Sequence, residues 1–229
     1  MTSQTEARIF LAEQRGASQT PDLHSYHTFN FGPYRAEGRE PFGALCLLND
    51  DILQAGASLS LGVDEPTSVV LLPITGGLEY RTEQTTDFLE PGQSVVLSLG
   101  AGMAYTVGNP YETEFINFLQ IWLIHGETAF APAVNVSTFD LSQKNTLLSF
   151  LDTTETGRRG YIGRYDGREE GAFVVGAGQN VFVFVLSGVF EVANRLLHAR
   201  DGLALRYQQA AELDFEALSN EAVLLVIAV

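Results

Sequence analysis

The sequence predicts an all-β chain built as two tandem barrels, and three observations carry that prediction. Short apolar runs rich in Val, Ile, Phe and Tyr are broken by Gly, Pro, Asn and Asp at the spacing of strands in a barrel or sandwich. The second half of the chain repeats the first. Ile74-Thr75-Gly76-Gly77-Leu78-Glu79 answers to Leu186-Ser187-Gly188-Val189-Phe190-Glu191, Pro91-Gly92 to Asp201-Gly202, and the strand led by Glu114 to the strand led by Glu221. The paired features lie roughly 110 residues apart in the same order, as duplication of a small β domain would leave them. Finally, 229 residues of which 45% are hydrophobic can bury a core of the size two such domains need, and the boundary is placed between 1–130 and 131–229.

In the first half the runs 58–63, 68–74, 77–81, 93–99, 103–107 and 114–124 alternate or are too β-branched for helix. The second half offers 172–175, 181–186, 189–193, 203–207 and 223–229. Hairpin turns need positive φ, and the glycines of the repeated hexads supply it without strain. One segment reads differently. Leu141, Leu147, Leu148 and Leu151 recur at helical intervals behind Asp140 and Gln143, which resemble a capping box, so one short helix is predicted there. The stretch 127–140, containing Ala131-Pro132-Ala133, reads as the connection between the halves.

Charge removes several functions. With 28 acidic and 13 basic residues the formal charge is −15, a sign that repels nucleic-acid backbones and anionic lipid. The longest apolar runs, such as 222–229, are far short of the ~20 residues of a spanning helix. The N-terminus has no apolar secretory stretch, and a soluble, cytoplasmic protein is expected. Cys46 is the one cysteine and lies in the apolar run 42–48, where a thiol behaves as a small hydrophobe. There is no Gly-x-Ser-x-Gly elbow, no phosphate-binding glycine loop and no Cys-x-x-Cys. Gly157-Arg158-Arg159-Gly160 reads as a hairpin loop. His24, His27, His125 and His198 include no pair at i, i+2 spacing, and each is expected to be a solvated or hydrogen-bonded side chain outside the inward strand positions.

Several motifs together resemble the pirin-like bicupins of the cupin superfamily. They are His27-Thr28-Phe29-Asn30-Phe31-Gly32, Phe42-Gly43-Ala44-Leu45, Leu48-Asn49-Asp50-Asp51, the Gly76 turn, Glu90-Pro91-Gly92, Gly100-Ala101-Gly102 and Phe118-Leu119-Gln120-Ile121-Trp122. The likeness is close over Ile9 to Leu123 and holds in outline beyond. It implies two tandem cupin-type barrels and, in the first, a metal held by a His-x-His pair and a His-x-Glu pair. Here those positions fall on Gly62, Asp64, Tyr105 and Val107, so no metal and no cofactor are expected. Asp64 is the one oxygen donor among them that is a carboxylate, a weak candidate for a hard cation.

A barrel without its metal still has an interior. Asp64, Tyr80, Tyr105 and Gln120 are the candidate lining of a pocket for a flat or aromatic molecule, against the alternative that Tyr105 simply fills the space. The reading favoured by the residues is a metal-free binding or regulatory protein with no catalytic residue. The resemblance alone implies the alternative, a metal-dependent dioxygenase that cleaves quercetin. A protein partner docking on Phe29, Phe31 and Tyr34 is a further possibility, although these rings also suit packing of the N-terminal strand.

Overall fold

The structure is a computed structural model and describes residues 6–126, 131–153 and 157–229. In chain order the strands begin with β1 (Glu6–Phe10), β2 (Gly16–Gln19), β3 (Leu23–His27), β4 (Leu45–Leu53), β5 (Ser58–Gly62) and β6 (Thr67–Thr75). They continue with β7 (Leu78–Arg81), β8 (Thr86–Leu89), β9 (Gln93–Leu99), β10 (Ala104–Gly108), β11 (Ile116–Ile124) and β12 (Ala133–Thr138). The rest are β13 (Leu148–Thr153), β14 (Arg158–Tyr165), β15 (Glu170–Val175), β16 (Asn180–Ser187), β17 (Val189–Val192), β18 (Arg195–His198), β19 (Gly202–Arg206), β20 (Ala211–Ala217) and β21 (Ala222–Ala228). Among the described residues the one helical element is a 3-10 turn at Ala12–Gln14. No helix among the described residues is long and apolar enough to cross a membrane.

The strands form two compact units, Arg15–Thr138 and Phe139–Val229, the latter joined by the N-terminal stretch through Gln14. Each unit has a large and a small antiparallel sheet. In the first, the order β9-β6-β11-β4 forms the centre of the large sheet and β5-β10-β7-β8 the small one. The second repeats both orders as β19-β16-β21-β14 and β15-β20-β17-β18. Ten strands later the same neighbour relations return, so the duplication read from the hexads is a duplication of topology. Gly76 (φ +71°) and Gly188 (φ +76°) make the equivalent turns between β6 and β7 and between β16 and β17. A Cβ at Gly188 would also lie 2.6 Å from the Ala222 Cβ, so both conformation and space exclude a side chain.

The two interiors differ in chemistry. The second is filled by Val183, Val185, Phe190, Leu203, Leu205, Leu213, Phe215 and Val226, with Tyr165 packed edge-on against Phe190 and Phe215. The first combines Val69, Leu71, Leu97, Tyr105, Val107 and Phe118 with a row of buried polar side chains. That row makes the first barrel the place to look for function.

Two expectations need correction. The predicted helix is absent, because 141–147 is a turn and β13 follows. Asp140 is bonded through Oδ1 by the Ser142 amide and through its carbonyl by the Gln143 amide, which is turn capping rather than helix capping. A register shift between Ser149 and Leu151 in β13 then buries adjacent Phe150 and Leu151 together, and this bulge imitates helical spacing. The division also differs from 1–130 and 131–229: β12 pairs with β9 and stays with the first unit, while β1 pairs with β19 in the second. Part of the predicted connection 127–140 lies outside the described residues. The Gly157–Gly160 stretch contributes the turn glycine and the first residues of β14, paired back onto β13.

β1 covers the edge of β19, and its anchor is Phe10, 2% exposed and edge-on to Phe182 at 5.5 Å. Phe10→Ala should cost about 3–5 kcal/mol in urea unfolding. Ile9→Ala, at a side chain 43% exposed on the same strand, should change stability by about 0.5 kcal/mol or less.

Candidate functional site

Alternation places the polar row. In the large sheet of the first barrel Ser18 pairs with Ser25, Ser25 with Asp51, and Asp51 with Phe118, a core residue, so this row of side chains faces the barrel interior. One step along, Gly16, His27, Asn49 and Gln120 form the parallel row. His27, Asn49, Asp51 and Gln120 are all at most 2% exposed, so their polar atoms must find partners within the protein.

Most do. Trp122 Nε1 donates to the Tyr105 hydroxyl at 2.9 Å, and that hydroxyl donates to Gln120 Oε1 at 2.5 Å. Gln120 Nε2 in turn donates to Asp51 Oδ2. The chain fixes the Gln120 amide, since its oxygen receives the phenol and its nitrogen faces the carboxylate. A second chain begins at Asn49, whose Oδ1 lies 3.0 Å from His27 Nδ1, with Ser25 Oγ 3.4 Å from the same nitrogen. His27 Nε2 is 2.8 Å from Ser18 Oγ. An amide oxygen only accepts, so Nδ1 carries the proton and Nε2 accepts from the Ser18 hydroxyl.

Burial sets the charges. Asp51 has its pKa pushed up to about 6 by burial; hydrogen bonds from Ser25 and Gln120 oppose the shift and the neighbouring Asp50 charge adds to it. Its Oδ1 has no hydrogen-bond partner among the described residues. Burial holds the Tyr105 phenol well above its ordinary range against the Trp122 bond, and it remains a neutral donor. Burial also lowers the His27 pKa, the Asn49 bond opposing and the Arg15 charge assisting. His27 is therefore a neutral imidazole at pH 7.

The four candidate pocket residues divide. Tyr105 and Gln120 are hydrogen-bonded to each other in the barrel. Tyr80 belongs to the same core cluster, but its phenol is turned toward Asp87, whose charge, after burial, raises its pKa. A cavity of about 210 Å³ reaches Tyr80 together with Arg81, Thr86 and Asn109, and neither Tyr105 nor Gln120 lines it. Asp64 is exposed beyond the end of β5. Tyr105 pairs with Leu61 and Val107 with Leu59, while Val63 is in the core, so the inward positions are 59, 61 and 63 rather than 62 and 64. A one-residue difference in register turns every side chain to the other face, and it removes Gly62 and Asp64 from the interior.

His27 corrects a second expectation, for it is an inward strand residue with 0% exposure. The other histidines are placed as expected: His125 bonds Ser68 Oγ at 2.7 Å, His24 stacks on Tyr26, and His198 is exposed at the end of β18. Cys46 is half-buried with Sγ 3.5 Å from the Trp122 carbonyl. Sequence reasoning missed Ser25, His27, Asn49 and Asp51 as a group. The available signal was the pairing of two polar i, i+2 couples, Ser25-x-His27 and Asn49-x-Asp51, inside otherwise apolar surroundings.

Known proteins match along the chain. Residues 157–228 match the family model described as the quercetinase C-terminal cupin domain. Over 216 residues the chain is 25% identical to quercetin 2,3-dioxygenase of Escherichia coli K12, covering 91% of this chain and 94% of that protein. These matches support the resemblance of this chain to the pirin-like bicupins. Among solved pirin-like structures, YhhW from Escherichia coli superposes with a TM-score of 0.85 at 22% identity, over 97% of both chains. A second YhhW structure, a complex with nickel(II), superposes at 0.80 over 97% of this chain and 98% of that one.

A metal of that kind does not fit this pirin-like barrel. Three or four nitrogen, oxygen or sulfur donors must converge at about 2 Å. Here Leu59, Leu61, Val63 and Val107 offer hydrocarbon, and Tyr105 offers a phenol that burial keeps protonated. No group of three or more His, Cys, Asp or Glu among the described residues is placed to hold an ion.

Ionised Asp51 works against folding. Its folded pKa of about 6 exceeds the ordinary 3.8, so the folded state binds the proton more tightly than the unfolded chain. The stability gained from this is complete below 3.8 and is lost as the pH rises through about 6. Asp51→Asn should exceed the parent in urea unfolding at pH 8 by about 1–3 kcal/mol, and the difference should vanish near pH 4.

Proposed function

We propose that this chain is a metal-free binding protein, a sensor or regulator, whose first barrel takes a flat aromatic molecule bearing hydroxyl groups. The observation that carries the reading is the buried acceptor Asp51 Oδ1, left without a partner at the end of the Trp122–Tyr105–Gln120 chain. A hydroxyl donor would satisfy it, and a buried unsatisfied acceptor costs about 1–3 kcal/mol, which such a ligand would recover. Half-buried Phe31 and Trp122, edge-on with ring centroids 6.3 Å apart, offer apolar faces for a planar ring. Quercetin has this chemistry, and it is the compound named for the Escherichia coli relative. The relatives' names favour a second reading, a dioxygenase acting on the same compound, and that reading requires a metal.

Trp122 is the one tryptophan in the sequence and sits in the hydrogen-bond chain, so its fluorescence reports on the site. Quercetin added to metal-free protein should change Trp122 emission saturably, and Gln120→Leu should abolish the change. Exposure to nickel, iron or copper should leave less than about 0.1 metal per chain after desalting, with no quercetin-dependent oxygen uptake. Stoichiometric metal together with oxygen uptake would establish the dioxygenase reading instead. Unchanged emission up to the solubility limit of quercetin would overturn the proposed ligand class.

A further inference from the structure

Ser18, His27 and Asn49 lie in line. Ser18 Oγ is 2.8 Å from His27 Nε2, and His27 Nδ1 is 3.0 Å from Asn49 Oδ1. This is the arrangement of a nucleophile, a base and a group that fixes the base's tautomer. The protonation states agree. Nδ1 carries the proton toward an amide oxygen, and Nε2 presents its lone pair to the hydroxyl. Burial keeps the ring neutral and able to take a proton. The three residues differ in access: His27 and Asn49 are buried, whereas Ser18 is half-buried on β2, the last strand of its sheet.

The surroundings of Ser18 supply two further parts. Thr20 donates to the Leu23 carbonyl, and in an antiparallel ladder the pair Ser18 and Ser25, two residues along, is bonded in the same sense. The Gln19 amide between them is thereby turned to the open edge of β2, beside Ser18, where it can donate to an oxyanion. The aromatic rings of Phe31 and Tyr34 stand 5.1 and 6.3 Å from His27. Tyr34 lies over Gly16, where an added Cβ would come within 2.4 Å of the ring, so the absence of a side chain two residues before Ser18 is what admits it. Both rings are half-buried and form an apolar wall next to the hydroxyl.

We propose that Ser18 is an activated nucleophile that accepts acyl groups from carboxylic esters with an aromatic acyl part. The Ser18 oxygen forms a bond to the ester carbonyl carbon as its proton passes to His27 Nε2. The carbon–alkoxide bond breaks and the alkoxide leaves with that proton as the alcohol. Water, deprotonated by the same nitrogen, then attacks the acyl-serine, releasing the carboxylic acid and restoring the hydroxyl. Asn49 acts as a positioning residue, and the step uses no metal. It rests on the β2 edge and stands independently of any free ligand in the barrel.

The test is full-length protein treated with a fluorophosphonate, which transfers its phosphonyl group to activated serines with loss of fluoride. One adduct per chain is expected, mapped to Ser18 by peptide mass spectrometry, and p-nitrophenyl benzoate should slow the labelling by competition. His27→Gln should lower the labelling rate by about 100-fold or more, and Asn49→Ala by a smaller factor. Ser18→Ala should carry no adduct while keeping a cooperative urea transition, which decides the matter even if the His27 variant does not fold. No adduct, an adduct on another residue, or labelling of His27→Gln at the parental rate would overturn the proposal.

Discussion

A carboxylate inside a hydrocarbon barrel must be held by donors or keep its proton, and the first unit is arranged around that requirement. Asp51 is 0% exposed on β4, between Ser25 and Phe118 in the lateral pairing. Its nearest support is the Gln120 amide, which serves it only because the Tyr105 hydroxyl occupies the amide's oxygen. Trp122 in turn directs the Tyr105 hydroxyl by donating to it. Each member fixes the direction of the next, so loss of one would leave buried polar groups unsatisfied along the row.

The frame was far more legible in the sequence than the site. Strands β6, β7, β9, β10 and β11 follow directly from alternation and glycine turns, and the duplicated hexads anticipate the repeated sheet orders. Tyr105 and Gln120 were identified as inward because they lie on regular strands whose parity can be counted. A count carried across the β5–β6 turn puts Asp64 inside, whereas in the structure Val63 rather than its neighbours enters the core. The polar couples on β3 and β4 were hidden for the opposite reason: polar residues inside a strand look like a turn until cross-strand pairing shows which face they share. The bulge in β13 misled in the same way, since two consecutive buried residues break the period of two on which strand recognition rests.

Duplication explains why one unit carries the polar row and its copy does not. Both barrels use the same strand order and equivalent glycine turns, so neither frame requires a polar interior. In the second, Phe190 and Phe215 close around Tyr165, and the core is hydrocarbon with the phenols of Tyr165 and Tyr207. Burying polar side chains without need costs free energy, and replacing a buried hydrogen-bonded pair by well-packed apolar groups can be neutral or favourable. The first barrel keeps Ser25, His27, Asn49, Asp51 and Gln120 although its twin shows that the fold stands without them. That contrast is physical evidence that the row serves something other than stability.

The row also bears on how this barrel differs from one that holds nickel(II), as in the YhhW complex. A metal centre solves the problem of a polar barrel interior by drawing several donors onto one cation, and its removal would strand those donors in hydrocarbon. In this chain the apolar side of the interior is Leu59, Leu61, Val63 and Val107, which need no partner. On the polar side, the buried side-chain atoms without a partner among the described residues of this unit are Asp51 Oδ1 and Thr28 Oγ1. Within the hydrogen-bonded row the unpartnered acceptor is Asp51 Oδ1, on a carboxyl that burial keeps neutral at low pH and that is charged above about 6. Occupancy of that acceptor and access to Ser18 at the sheet edge are therefore separable properties, one set by burial and the other by exposure of β2.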